Sequence, residues 1–205
     1  MTHTLNRIGL SEEKPGEEIV FLCMVHDKEK PTKADRLKEV TRIVAKYNPI
    51  NIVGRPLGFD DQSIMELTKK VGIVTAVFTN KDDALEMVKE IKDKQLGLSV
   101  VISALFSDVH EICENLSIDE HTYHISLGVY GQTNLLPDMD ILSITTQCGH
   151  HMVSPNLVKH VVTKIRKGKM AAQEAAELLV RPCACGLINH ERVKKTLDKM
   201  AVVPG

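Results

Sequence analysis

The chain has no tryptophan, and its aromatic residues are three tyrosines and four phenylalanines. That scarcity argues against a surface that stacks nucleic-acid bases on rings. It also means that the core has to be assembled from valine, isoleucine, leucine and methionine. An excess of one charge is missing too: 26 basic residues against 27 acidic ones leave a formal net charge of −1. No basic footprint for a nucleic acid follows from that balance. The most basic stretch, Lys164 to Lys169, falls at an expected helix C-terminus, where cations complement the helix dipole. No apolar run approaches the roughly 18 residues of a membrane span, and Met1 to Leu10 lacks the apolar stretch of a signal peptide. The five cysteines therefore do not suggest a disulfide framework; they point to core thiols, metal ligands or redox chemistry. The expectation is a cytoplasmic chain with no membrane and no nucleic-acid partner.

What is present is an ordinary globular balance, 43% apolar and 26% charged, over 205 residues. Such a chain suits one domain, or one with a small addition, and buries roughly 70% of its extended surface. Strand and helix patterns alternate along it. Ile19 to Val25, Ile50 to Val53, Ile73 to Phe78 and Leu98 to Ala104 read as strands. Between and after them lie four helical patterns. The first starts at Thr32, with Ala34, Leu37, Val40 and Val44 inward, and the second carries Ile64, Leu67 and Val71. The third is capped by Asn80, and the fourth opens at Ser107 with Ile112, Cys113 and Leu116 inward. Tyr123 to Val129 and Ile141 to Thr146 read as two further strands. The last third is helical: Ser154–Pro155 is a cap followed by proline at the first helical position, Gly168 ends that helix, and two more run over about 171–180 and 190–200.

Successive strand–helix units predict an open, mainly parallel α/β sheet of about six strands flanked by helices, with a C-terminal helical subdomain. On this reading residues 1–153 form the sheet domain and residues 154–205 carry the helices. A sheet of this kind often dimerises through exposed helices; no stripe here demands it, so a homo-oligomer stays open. In parallel sheets ligands bind beyond the carboxyl ends of the strands. That rule gathers His26, Asp27, Arg55, Thr79, Asn80, Ser103, Gln132 and Cys148. Arg55, within Gly54-Arg55-Pro56-Leu57-Gly58, is the candidate to hold a carboxylate or phosphate. The glycine spacing matches neither a phosphate loop nor a dinucleotide fingerprint.

The chemically loaded feature is cysteine. Cys148 is followed by Gly149, His150 and His151, and Cys183 and Cys185 flank Ala184 in a turn after Pro182. Two helices fill the 34 residues between Cys148 and Cys183, and a helical hairpin brings its ends together. Four readings follow. Three thiolates, Cys148, Cys183 and Cys185, hold an iron–sulfur cluster with one open iron, a Lewis acid for a small polar, anionic metabolite, as in a lyase. Alternatively they hold zinc with His150 or His151. Thirdly, Cys148 is a metal-free nucleophile with a histidine as base, or Cys183 and Cys185 are a redox pair. Lastly, all three are small buried side chains. An accessory or electron-transfer protein carrying the same cluster is the non-enzymatic version. His150 or His151 would move the proton. Cys23, mid-strand, and Cys113, on an inward helix face, read as core. The segment from His3 to Arg7 has no core role and is a candidate to fold over a site.

Overall fold

A computed structural model describes residues 7–202; His3 lies outside them. The described chain divides into two compact units. One comprises residues 11–121 together with the short stretch 184–187. The other comprises residues 7–10, 122–183 and 188–202.

The first unit is built on a four-stranded sheet of β1 (Ile19–Met24), β2 (Asn51–Ile52), β3 (Ile73–Phe78) and β4 (Val100–Ser103), in the order β2-β3-β1-β4. Every neighbouring pair is antiparallel. The expected open, mainly parallel sheet of about six strands is therefore incorrect. The first four strands exist where the apolar runs place them, and helices do connect them. What differs is spatial order. β1 and β2 run the same way, as do β3 and β4, but β3 lies between the first pair and β1 between the second. Each is a split strand–helix–strand unit, and the two interleave. Periodicity records covalent order; it carries no record of which strand a crossover skips.

The helices of this unit are α1 (Lys30–Lys46), α2 (Asp61–Val71), α3 (Lys81–Asp93) and α4 (Phe106–Leu116). α1 begins before Thr32, with Pro31 in its first turn, and Thr32 donates its hydroxyl to the Glu29 carbonyl. Asn80 caps α3 by accepting from the backbone N–H groups of Asp82 and Asp83, which satisfies donors that an unstarted helix leaves orphaned. Alternate residues of the central strands, Ile19, Phe21 and Cys23 with Val74, Ala76 and Phe78, form one core with Leu37, Val40 and Val44 of α1 and Met87 and Ile91 of α3. Phe21 faces Ala76 across the β1–β3 ladder, a large residue against a small one, which lets the layer fill without a void.

The second unit is helical: α5 (Met139–Thr145), α6 (Pro155–Arg166), α7 (Ala172–Val180) and α8 (His190–Val202). The expected strand Ile141 to Thr146 is helix α5. A short run such as Ile-Leu-Ser-Ile-Thr-Thr satisfies either period, and Ile141, Ile144 and Thr145 are buried at helical spacing. The expected strand Tyr123 to Val129 belongs to no helix or strand, and every residue from 121 to 136 is exposed. Ser154 caps α6 by accepting from Asn156 N–H, with Pro155 first in the helix. Asn189 caps α8 by accepting from Arg192 N–H at 3.0 Å. Among the described residues no helix is long and apolar enough to cross a membrane.

Candidate functional site

Cys148 sits in the loop between α5 and α6, not after a strand. The loop follows α5 closely because Thr146 and Gln147 turn back on the helix: Thr146 N–H donates to Leu142 O, and Gln147 N–H to Ile144 O. Beyond the cysteine, His151 takes a left-handed conformation (φ 54°) and its N–H donates to the Cys148 carbonyl at 2.9 Å. This tight turn aims the backbone N–H groups of His150 and Met152 at the Cys148 sulfur. Backbone donors converging on one point form a small anion-binding concavity.

Cys183 closes the turn after α7, its N–H donating to Val180 O at 2.9 Å. It comes from the far end of the α6–α7 hairpin, and its thiol donates to the Cys148 sulfur. Both side chains are buried, at 1% and 2% exposure, and neither is in a disulfide. The Cys148 thiol is pulled well below its ordinary value, to about 5. The hydrogen bond from Cys183 is the largest cause. The N–H groups of Met152 and His150 and the charge of His150 act the same way, against the opposing effect of burial. A thiolate in a dry site is costly unless donors surround it; here three do. His150 and His151 are both exposed.

The loop has a polar support that the sequence did not advertise. Gln147 is fully buried. Its Oε1 accepts from Asn189 N–H at 2.9 Å, and its Nε2 donates to Ser143 O at 3.0 Å. Arg7 donates from Nη1 to the Gln147 carbonyl at 2.6 Å, and Ile8 N–H donates to Thr146 Oγ1 at 3.0 Å. Arg192 in turn donates to Ile8 O at 2.8 Å. Arg7 and Ile8 thus lie against the residues that immediately precede Cys148. A lone glutamine at the end of an apolar run gave no hint of that role; Arg7 stood out only for lacking a place in the core.

Cys185 belongs to the first unit, where the backbone around it is tied to the sheet. Thr75 on β3 donates its hydroxyl to the Cys185 carbonyl, and Gly54 N–H donates to Ala184 O at 2.9 Å. Gly186 crosses so close to β2 that a β-carbon there would lie 2.2 Å from both C and O of Ile52. Its φ of +61° is also one that glycine adopts without penalty. Among the described residues no group of three or more His, Cys, Asp or Glu is placed to hold a metal ion.

Arg55, in the same unit as Cys185, opens a 3-10 turn after β2. It is engaged: Nη2 donates to Asp61 Oδ1 at 2.9 Å and Nη1 to Pro49 O at 3.3 Å. In an antiparallel sheet the carboxyl ends of the strands do not share one edge. His26 and Arg55 follow β1 and β2 at one end, while Asn80 and Ser103 lie at the opposite end. The rule that gathered them applies to parallel sheets. Cys23 is fully buried in the core with its thiol pushed up to about 12 by burial, and Cys113 is half-buried with its thiol also raised; neither is poised as a thiolate. No protein-family model, no curated protein and no solved structure matches this chain.

Proposed function

We propose that the chain is a thiol-dependent enzyme whose centre is the Cys148–Cys183 pair, with Cys148 as the nucleophile. The observation that carries the reading is the meeting of two buried thiols, Cys148 and Cys183, with two loop N–H groups aimed at the Cys148 sulfur. A depressed pKa makes the attacking form of sulfur available at neutral pH. The reaction class this supports is thiol–disulfide exchange with a small disulfide. The Cys148 thiolate attacks one sulfur of the substrate, forms a mixed disulfide and expels the first substrate thiolate. Cys183 gives its proton to that leaving group, attacks the Cys148 sulfur and expels the second thiolate. The pair ends as a disulfide, having given two electrons to the substrate, which leaves as one thiol protonated by Cys183 and one thiolate that takes its proton from water. The charge of His150 favours the anionic form of Cys148 before attack.

A second reading keeps the metal or iron–sulfur centre, on a lyase or an accessory protein. Its support is the burial of both sulfurs together with N–H donors to Cys148, an environment that suits thiolate ligands. It requires at least one further ligand, with His150 the candidate within the same unit, to join the pair when the metal binds. One experiment separates the two: elemental analysis and an absorption spectrum of protein purified without oxygen, followed by incubation of the metal-free protein with oxidised glutathione and peptide mapping. The dithiol reading expects no stoichiometric iron or zinc and a Cys148–Cys183 disulfide. Stoichiometric metal that is lost in Cys148→Ala overturns it in favour of the second reading. Neither metal nor disulfide overturns both.

A further inference from the structure

The net charge of −1 conceals a division between the two units. Residues 1–10, 122–183 and 188–205, the helical unit, carry 11 Lys and Arg against 6 Asp and Glu, a net charge of +5. Residues 11–121 and 184–187, the sheet unit, carry 15 against 21, a net charge of −6. Cys148 and Cys183 both belong to the basic unit. A surplus of one sign on a compact body raises the local concentration of ligands of the other sign. Beside the pair the surplus takes the form of one arginine. Val180, Arg181, Pro182 and Cys183 make the turn that ends α7, closed by the Cys183 N–H on Val180 O at 2.9 Å. Arg181 is exposed, two residues from the Cys183 thiol, and its guanidinium has no partner among the described residues. The acid one helical turn earlier, Glu177, accepts instead from Gln173 Nε2 at 3.0 Å. Arg55, the arginine that the sequence offered for an anion, is committed to Asp61 and Pro49.

We propose that the disulfide taken by the Cys148–Cys183 pair carries carboxylates, and that Arg181 selects it by holding one of them. The inference rests on the dithiol reading given above. Both sulfurs are buried, so an arriving disulfide meets the exposed groups around them first, and its charge is read before its sulfur is reached. A guanidinium offers a carboxylate two parallel hydrogen bonds, a geometry that an ammonium does not supply. A tight turn keeps its first and last α-carbons within about 7 Å, so a substrate the size of two linked amino acids is long enough to touch both Arg181 and the thiol. A cation at a helix C-terminus also complements the helix dipole, but that role needs neither the fork of an arginine nor a thiol beside it.

The test offers the full, reduced chain three small disulfides: dithiodipropionate with two carboxylates, the neutral hydroxyethyl disulfide, and cystamine with two ammonium groups. Loss of the Cys148 thiolate absorbance is timed with each. Every rate is divided by that of free mercaptoethanol with the same disulfide, which removes intrinsic reactivity. At low salt the normalised rate is expected to be about tenfold higher for the dicarboxylate than for the neutral disulfide, with cystamine slowest, and the preference to shrink in about 0.5 M salt. Arg181→Ala should lower the anionic-to-neutral ratio about fivefold, and Arg181→Lys, which keeps the charge without the fork, should fall between. A role confined to the helix end would lower stability and leave that ratio alone; urea unfolding of both variants reads the difference. Equal normalised rates for the three disulfides overturn the inference and leave the dithiol reading standing. An anionic preference that survives in Arg181→Ala overturns the assignment of Arg181. Reaction with none of the three overturns the dithiol reading and the inference with it.

Discussion

Replacing Cys183 by alanine removes the largest of the interactions that hold Cys148 as a thiolate and little else, because the side chain is small. A hydrogen bond to a charged acceptor contributes about 1.5–3 kcal/mol, and 1.36 kcal/mol corresponds to one pKa unit. The Cys148 midpoint should therefore rise by about 1–2 units in Cys183→Ala, leaving the loop N–H groups to hold the remainder of the shift. Cys183→Ser keeps a donor at the same place and should keep the midpoint low. Thiolate ultraviolet absorbance followed against pH reads the midpoint, with Cys148→Ala identifying the signal. The same shift appears in stability. The folded value, about 5, lies below the ordinary 9.0, so between these limits the unfolded chain binds the extra proton and stability rises with pH. The contribution is complete above the ordinary value and is lost as pH falls through the folded one. In Cys183→Ala the lower edge of that window moves up. A Cys148 midpoint unchanged in Cys183→Ala, or equally raised in the serine variant, would refute the assignment of Cys183 as the donor.

Two further substitutions test the scaffold. Gly186→Ala adds a β-carbon into the Ile52 peptide at φ +61° and should lower stability by more than about 3 kcal/mol in urea unfolding; Gly168→Ala, also left-handed but with open space around it, should cost only about 1–2 kcal/mol, and equal losses would show that the close approach is unimportant. Gln147→Leu leaves the buried Asn189 N–H without its acceptor and should cost about 1–3 kcal/mol; a loss below about 0.5 kcal/mol would mean that the buried amide is not a support of the cysteine loop.

What could be read from the sequence was local chemistry. Asn80, Ser154–Pro155 and Asn189 mark helix starts because a cap binds N–H groups two or three residues on, a distance any reader of the chain can see. Ile19 to Met24 and Ile73 to Phe78 are strands because their apolar runs are too short and too branched for much else. That these two strands are neighbours, with β4 beyond β1, depends on pairing across about fifty residues or more, and no periodicity encodes it. The meeting of Cys148 and Cys183 was foreseeable from a two-helix hairpin of suitable length. The fate of Cys185 was not: its carbonyl is taken by Thr75, 110 positions away, through a backbone group that every residue possesses. Gln147 was missed for a related reason, since a buried amide and an exposed one are the same letter.

The stretch 184–187 has a practical consequence for anyone dissecting this protein. It is covalently embedded in the helical unit's sequence yet hydrogen-bonded to Gly54 and Thr75 of the sheet unit. Neither unit is therefore a contiguous piece of chain. A clone of residues 11–121 would lack the peptide that occupies the Gly54 N–H and the Thr75 hydroxyl, and a clone starting at residue 122 would lack the N-terminal strand of contacts through Arg7 and Ile8. Two coexpressed halves, cut at any bond between Ile8 and Arg192, cannot reproduce both sets of bonds without reassembling. The gene is best manipulated whole.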